Sequence, residues 1–390
     1  MNIPSREDLL DRAREMVPLL RERAAQAEDD RGISRDTHEK FRDAGFYKIL
    51  QPKRHGGFEA DLGLVVDIAA ELGRGCGSSA WVFTNLAMHG LTMGMKDPRA
   101  QDEVWGDNQD ALVCSASPAG DSKVTMVDGG IVVDGQWHFS SGVDFADFNH
   151  LQIFLRPENG PPEHRFAMVA RSDYDIIDDW HSTGMSATGS RSISLKEVFI
   201  PEYRMLSSLA VRGGPTPGSA VNPGALYRIP FWGLGSKWFA GPAIGLARGV
   251  LELIEQDLES RIGMGGAKLW AEPTIHGRLA ESGGEIEAAW AMLARDSIDV
   301  MRMTEADEDP TLLIRAGWRR NNAYAAVLCT RAVDRLFSLT GMRGMQPGND
   351  VQRAWRDIHA VSCQLGIAWD PQAVNYGRAR FDLPFGDPRV

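Results

Sequence analysis

Histidine and serine are the residue types in this chain best suited to proton chemistry. His359 sits in "NDVQRAWRDIHA" (349–360), His89 in "TNLAMHGLT", Ser115 in "VCSASPAG" and the pair Ser140 and Ser141 in "QWHFSSG". A neutral imidazole offers one donor and one acceptor, and a hydroxyl offers both. Such groups can donate, accept or relay a proton. "YRIPFWG" adds Arg228 and Phe231, a cation and an aromatic ring three residues apart. Other chemistries lack their parts. There is no GxSxG nucleophile elbow and no convincing HxD or HxE pair for a metal. The four cysteines match no CxxC or zinc spacing, so no metal is expected. No GxGxxG follows a strand, which argues against a nicotinamide held in Rossmann fashion.

The elements that carry these residues follow from periodicity. Asn349 or Asp350 can cap a helix on which Trp355, Ile358, His359, Ser362 and Cys363 share one face, while Arg356 and Asp357 fall away from it. Taken alone, that face reads as core with one satisfied histidine. Residues 1–112 read as an N-terminal helical domain, with a capping box at Ser5 and Asp8. Residues 113–225 switch to strand signals, including β-branched runs around the Asp-Gly-Gly of "KVTMVDGGIVVDGQWHF". Residues 226–390 return to long helices; one carries a Gly pair, and another begins with Pro310 in its first turn and ends at Gly341. Their lengths and short connections predict an antiparallel four-helix bundle. The fold class is therefore α+β: helices, a central β-barrel or sandwich, then a bundle.

Composition narrows the partners. The 390 residues are 43% hydrophobic and 24% charged, with a formal net charge of −11 and no basic run, which argues against nucleic acid and polybasic membrane surfaces. No apolar run is long enough to span a bilayer, the first residues lack the apolar core of a signal peptide, and unpaired thiols suit a reducing cytosol. A cytoplasmic location is expected.

Four stretches, in this order, resemble the acyl-CoA dehydrogenase fold: "HGGFEADLGLVVDIAAELGRGCGSSAW", "DGQWHFSSGVDFAD", "GMSATGSRSISLKEVFIPEYR" and "QRAWRDIHA". The resemblance covers about residues 10–385 and is closest to the two-component flavin-dependent monooxygenases. Acyl-CoA dehydrogenases abstract a proton with a glutamate, commonly eight residues after an Arg-Asp pair. Counting from Asp357, that place holds Leu365, and "WGLGSKWFA" before Gly241-Pro242, the alternative place, has no carboxylate. The dehydrogenase reading keeps the fold and loses its base.

The resemblance implies an oxygenase component. It would take reduced FMN (or FAD) from a separate NAD(P)H:flavin reductase and react with dioxygen through a C4a-hydroperoxyflavin. The substrate would be a small phenolic or N-heteroaromatic ring; N- or S-oxygenation is an alternative on the same fold. It implies His359 near the oxygen-bearing side of the flavin, and Ser140, with Ser141 as fallback, at flavin N5. Arg228, Phe231 and Trp81 would approach the ring. Gly341 and Arg343, in "GMRGM", would lie near the cofactor phosphate. His89 would act as a base on the substrate hydroxyl, partnered by Ser115 or its neighbour Ser117. A homotetramer with flavin held across a subunit boundary is expected.

Overall fold

The computed structural model describes residues 3–156, 162–263, 266, 268–387 and 389–390. The first helix, α1 (Arg6–Asp29), starts where Ser5 and Asp8 cap each other's backbone N–H groups. Its apolar stripe, Leu9, Ala13, Val17 and Leu20, is buried. Then come α2 (Arg35–Asp43), α3 (Leu62–Gly73), α4 (Gly77–Gly94) and α5 (Pro98–Trp105). Helix α4 is apolar on all sides and therefore runs through the middle of the molecule. Every residue of it is buried except Trp81, which is half-buried.

The strands are β1 (Val113–Pro118), β2 (Lys123–Val127), β3 (Gly130–Ser140), β4 (Phe148–Leu155), β5 (Glu163–Ala170), β6 (Asp175–Ile177), β7 (Arg191–Pro201) and β8 (Met205–Ser207). They are ordered β6-β7-β3-β1-β4-β5-β8, and β2 pairs with β3 in the hairpin that Asp-Gly-Gly predicts. The turn closes at Gly129, whose φ of +75° is a conformation glycine adopts without a Cβ penalty. Strands β1 and β4 run parallel, with Cys114 opposite Asn149 and Ser115 opposite His150. Side chains alternate across a strand, so the first pair faces one side of the sheet and the second pair the other.

The C-terminal part holds α6 (Phe231–Leu234), α7 (Ala240–Ser260), α8 (Pro273–Glu305), α9 (Leu312–Phe337), α10 (Asp350–Ser362) and α11 (Trp369–Arg380). Helices α7 to α10 form the bundle around Ala247, Val250, Leu293, Cys329, Val333 and Ile358. The Gly pair 283–284 does not interrupt α8. Helix α9 starts one residue after the Thr311 cap and ends at Phe337, so Pro310 precedes it and Gly341 lies in a separate 3-10 turn. Helices α3 and α7 cross at Gly73 and Gly245, so closely that a Cβ on Gly245 would stand 2.6 Å from the Cα of Gly73.

Helix α10 departs from its sequence reading. Asn349 caps it, accepting from Gln352 N. Its buried residues are Val351, Arg353, Asp357, Ile358 and Val361, whereas Trp355 and His359 are half-buried and Cys363 is exposed. The helix has neighbours on two sides. Ile358 faces the bundle, and Asp357 turns to the loop before β7, where its Oδ1 accepts from Met185 N at 2.6 Å. Burial pushes the Asp357 carboxyl up to about 6. Beside it, Arg356 donates to Thr183 O at 2.5 Å and pairs with Glu28 of α1.

Candidate active site

One face of α4 carries Trp81, Asn85 and His89 at i, i+4 and i+8, a stripe about 12 Å long. At one end, Trp81 stacks on Phe239 with ring centroids 4.3 Å apart and donates from Nε1 to Ser141 Oγ at 3.0 Å. At the other, the His89 ring meets His150 of β4 edge-on at 5.5 Å. Ser115 stands beside His150 on the adjacent strand and shares its face of the sheet. The wall nearby is aromatic. Phe166 lies 6.2 Å from His150, stacks on Trp232 at 5.5 Å and meets Phe231 edge-on, while Phe231 stacks on Trp238 at 5.2 Å.

Hydrogen bonding fixes what these groups can offer. His89 Nδ1 is 2.5 Å from Asn85 O, so that nitrogen carries the proton and Nε2 presents a lone pair. Among the described residues nothing donates to that Nε2. Burial pushes the imidazole down to about 4. It is therefore neutral at pH 7: an acceptor, and a weaker base than its sequence position suggests. His150 is also lowered, by burial first and by the Lys96 charge second. The Ser115 hydroxyl has no partner among the described residues. Ser117 accepts from Gln152 Nε2 at 3.0 Å.

The two serines at the end of β3 part company. Ser140 points into the sheet, fully buried, accepting from Asn149 Nδ2 at 2.7 Å with Cys114 Sγ at 3.2 Å. Ser141 lies with Trp81, because Gly142 at φ +80° turns the chain against α4. The structure thus gathers Trp81, Ser141, His89, Ser115 and Phe231 around one region and turns Ser140 away from it. Four other residues lie elsewhere. Arg228 is paired with exposed Asp307 after α8. Gly341 and Arg343 sit beyond α9; Arg343 is 67% exposed and 3.8 Å from Asp257, about 24 Å along α7 from Gly241. His359 projects from α10 opposite Asp357, with Nδ1 2.7 Å from Trp355 O and Nε2 3.5 Å from Asp334. None of its hydrogen bonds or ring contacts reaches Trp81, Ser141 or His89.

Two residues that sequence reasoning passed over belong here. His150 lies in a stretch read only as a strand, yet it is a polar side chain at a buried position of the β4 alternation. Ser190 Oγ is 2.6 Å from Ser141 Oγ. At the place a dehydrogenase needs its glutamate stands Leu365, 72% exposed.

Two family models match the chain: the acyl-CoA dehydrogenase N-terminal domain over residues 4–97 and the C-terminal domain over residues 237–368. A flavin-dependent monooxygenase oxygenase subunit, HsaA, of Rhodococcus jostii (strain RHA1) is 32% identical over 380 residues, covering 96% of this chain and 98% of that one. The chain belongs to the acyl-CoA dehydrogenase family, in its flavin-dependent monooxygenase branch. The oxygenase component of an FADH(2)-dependent resorcinol hydroxylase from Rhizobium sp. (strain MTP-10005) is 30% identical to this monooxygenase, covering 96% of this chain and 94% of that one. The crystal structure of 3-HSA hydroxylase from Rhodococcus sp. RHA1 superposes on it with a TM-score of 0.93 at 30% identity, covering 98% and 99% of the two chains. The monooxygenase is thus an oxidoreductase that depends on reduced flavin. The residues present suit such a ring: Ser141 places a buried hydroxyl beside an indole stacked on Phe239.

Proposed function

We propose that this oxygenase component hydroxylates a small aromatic substrate bearing a phenolic hydroxyl or ring N–H, with reduced flavin delivered by a separate reductase. The observation that carries this reading is a neutral acceptor, His89 Nε2, that no described protein group claims, against His150, whose strand neighbour Ser115 has an unclaimed hydroxyl, with an aromatic wall alongside. Reduced flavin, when bound, activates dioxygen for insertion of one oxygen atom. The chain's own residues then have three tasks. His89 Nε2 accepts the substrate O–H and takes its proton as electron density moves into the ring, with Asn85 O steadying the Nδ1 proton. Ser115 orients the same hydroxyl. Phe166, Phe231 and Trp232 exclude water.

Ser141, next to Trp81, is the residue we place at flavin N5. FMN and FAD both remain in the reading: the dinucleotide-contacting pattern is thin, and the similar resorcinol hydroxylase is named for FADH(2). His359 lies outside the cluster of one chain. In our reading it meets the flavin of another copy in a homotetramer. Support comes from the exposed apolar side chains on the segments that flank α10 in the chain, Met342, Met345, Leu365 and Trp369.

The test is single turnover with photoreduced FMN or FAD, dioxygen and a panel of phenols and indoles. His89→Leu should cut product formation about 100-fold or more while leaving reduced-flavin binding within about twofold. Full hydroxylation by His89→Leu refutes the assignment.

A further inference from the structure

Four side chains and one carbonyl form a continuous hydrogen-bonded chain. Trp81 Nε1 donates to Ser141 Oγ at 3.0 Å. Ser141 Oγ is 2.6 Å from Ser190 Oγ, and Ser190 Oγ is 2.7 Å from Thr188 Oγ1. Thr188 Oγ1 lies 2.8 Å from Met185 O. All three hydroxyl residues are buried.

The two ends set the direction of every proton between them. A carbonyl only accepts, so Thr188 must donate to Met185 O. Its one proton spent, Thr188 accepts from Ser190, and Ser190 in turn accepts from Ser141. At the other end the indole N–H can only donate. Ser141 therefore gives its proton to Ser190, receives one from Trp81, and keeps a single lone pair and nothing to donate. The terminus cannot easily relax, because Met185 is held at φ +56° with its N–H on Asp357.

We infer that the Ser141–Ser190–Thr188 chain selects the redox state of the bound flavin by making Ser141 a pure acceptor toward its ligand. This rests on the placement of flavin N5 at Ser141 proposed above. Reduced flavin carries N5–H, a donor that matches the free lone pair. Oxidised flavin carries a bare N5, an acceptor that meets another acceptor. Ser190 and Thr188 touch no ligand; they are positioning residues that act by orienting one proton.

The experiment measures dissociation constants for oxidised FMN and, anaerobically, for reduced FMN, by flavin absorbance and fluorescence. The parent protein should prefer the reduced form. Thr188→Val frees the Ser190 proton to turn back toward Ser141, and Ser141 can then donate to oxidised N5. The ratio of oxidised to reduced dissociation constants should fall at least about tenfold, since one hydrogen bond is gained on one side and lost on the other. Ser190→Ala should shift it the same way, which keeps the test open if Thr188→Val fails to fold. Thr188→Ser restores the hydroxyl and should restore the ratio. Variants that weaken both redox forms equally, or leave the ratio unchanged, overturn the inference while flavin binding itself stands. A parent protein that binds neither form overturns both the inference and the flavin placement.

Discussion

Acid should destabilise this protein through His89, and the effect can be worked from its position. The imidazole is pushed from 6.5 down to about 4 by burial in α4. A histidine with a lowered folded value contributes stability that is complete above its unfolded value and is lost as pH falls toward the folded one. The window is therefore from about pH 6.5 to about pH 4. Between pH 7 and pH 5 the linkage for a shift from 6.5 to about 4 amounts to about 2 kcal/mol. His89→Gln removes this titration. The assay is equilibrium urea unfolding of parent and variant at pH 7 and pH 5. The variant is expected to be less stable at pH 7, because a packed residue has been changed, but to lose about 2 kcal/mol less on acidification. His38 and His164 are also lowered by burial and contribute to both proteins, so they cancel. His150 touches His89 and owes part of its lowering to it, so the comparison is made with His150→Gln in both proteins. Identical acid sensitivity in the two proteins would refute a buried, neutral His89, as would an NMR titration placing its imidazole near 6.5.

Asp357→Ala should cost about 1–3 kcal/mol in thermal or urea unfolding, because the buried Met185 N–H loses its acceptor. Asp357→Asn retains an acceptor oxygen and should cost clearly less. Gly245→Val should destabilise by about 2 kcal/mol or more, since a Cβ there already meets Ala70 O at 2.5 Å, and circular dichroism melting would show it. His359→Ala should change melting by about 0.5 kcal/mol or less, its side chain being 42% exposed. The same variant should lower the yield of hydroxylated product per reduced flavin consumed; an unchanged yield removes His359 from the chemistry.

Periodicity and capping located most elements. Ser5 with Asp8, Asp-Gly-Gly between two β-branched runs, and Asn349 each act over a few residues, so a local rule finds them. The buried face of α10 differs from its sequence pattern for a physical reason. An apolar stripe predicts burial against one neighbour, whereas this helix also docks a charged side on α1 and the 183–185 loop. The site was legible in part. Trp81 and His89 share a helix face that spacing alone can reveal. The partners of Ser141 were not legible, because Ser190 and Thr188 are brought to it by β7 pairing with β3, some 49 residues away in sequence. The same pairing of distant strands hides the neighbourhood of Ser115 and His150. No local signal records that Ser140 turns to Asn149 while Ser141 turns to Trp81 of α4; that depends on the irregular register between Trp137 and Ser140.

The Arg356–Asp357 pair carries a wider consequence. In sequence it serves as the landmark from which a dehydrogenase glutamate is counted. In the folded chain its two side chains grip backbone at Thr183 and Met185, fastening the helical bundle to the sheet. A landmark of that kind marks a mechanical joint. Enzymes that keep the joint are free to exchange the reactive groups mounted around it, so dehydrogenation and oxygenation can diverge without the frame being rebuilt.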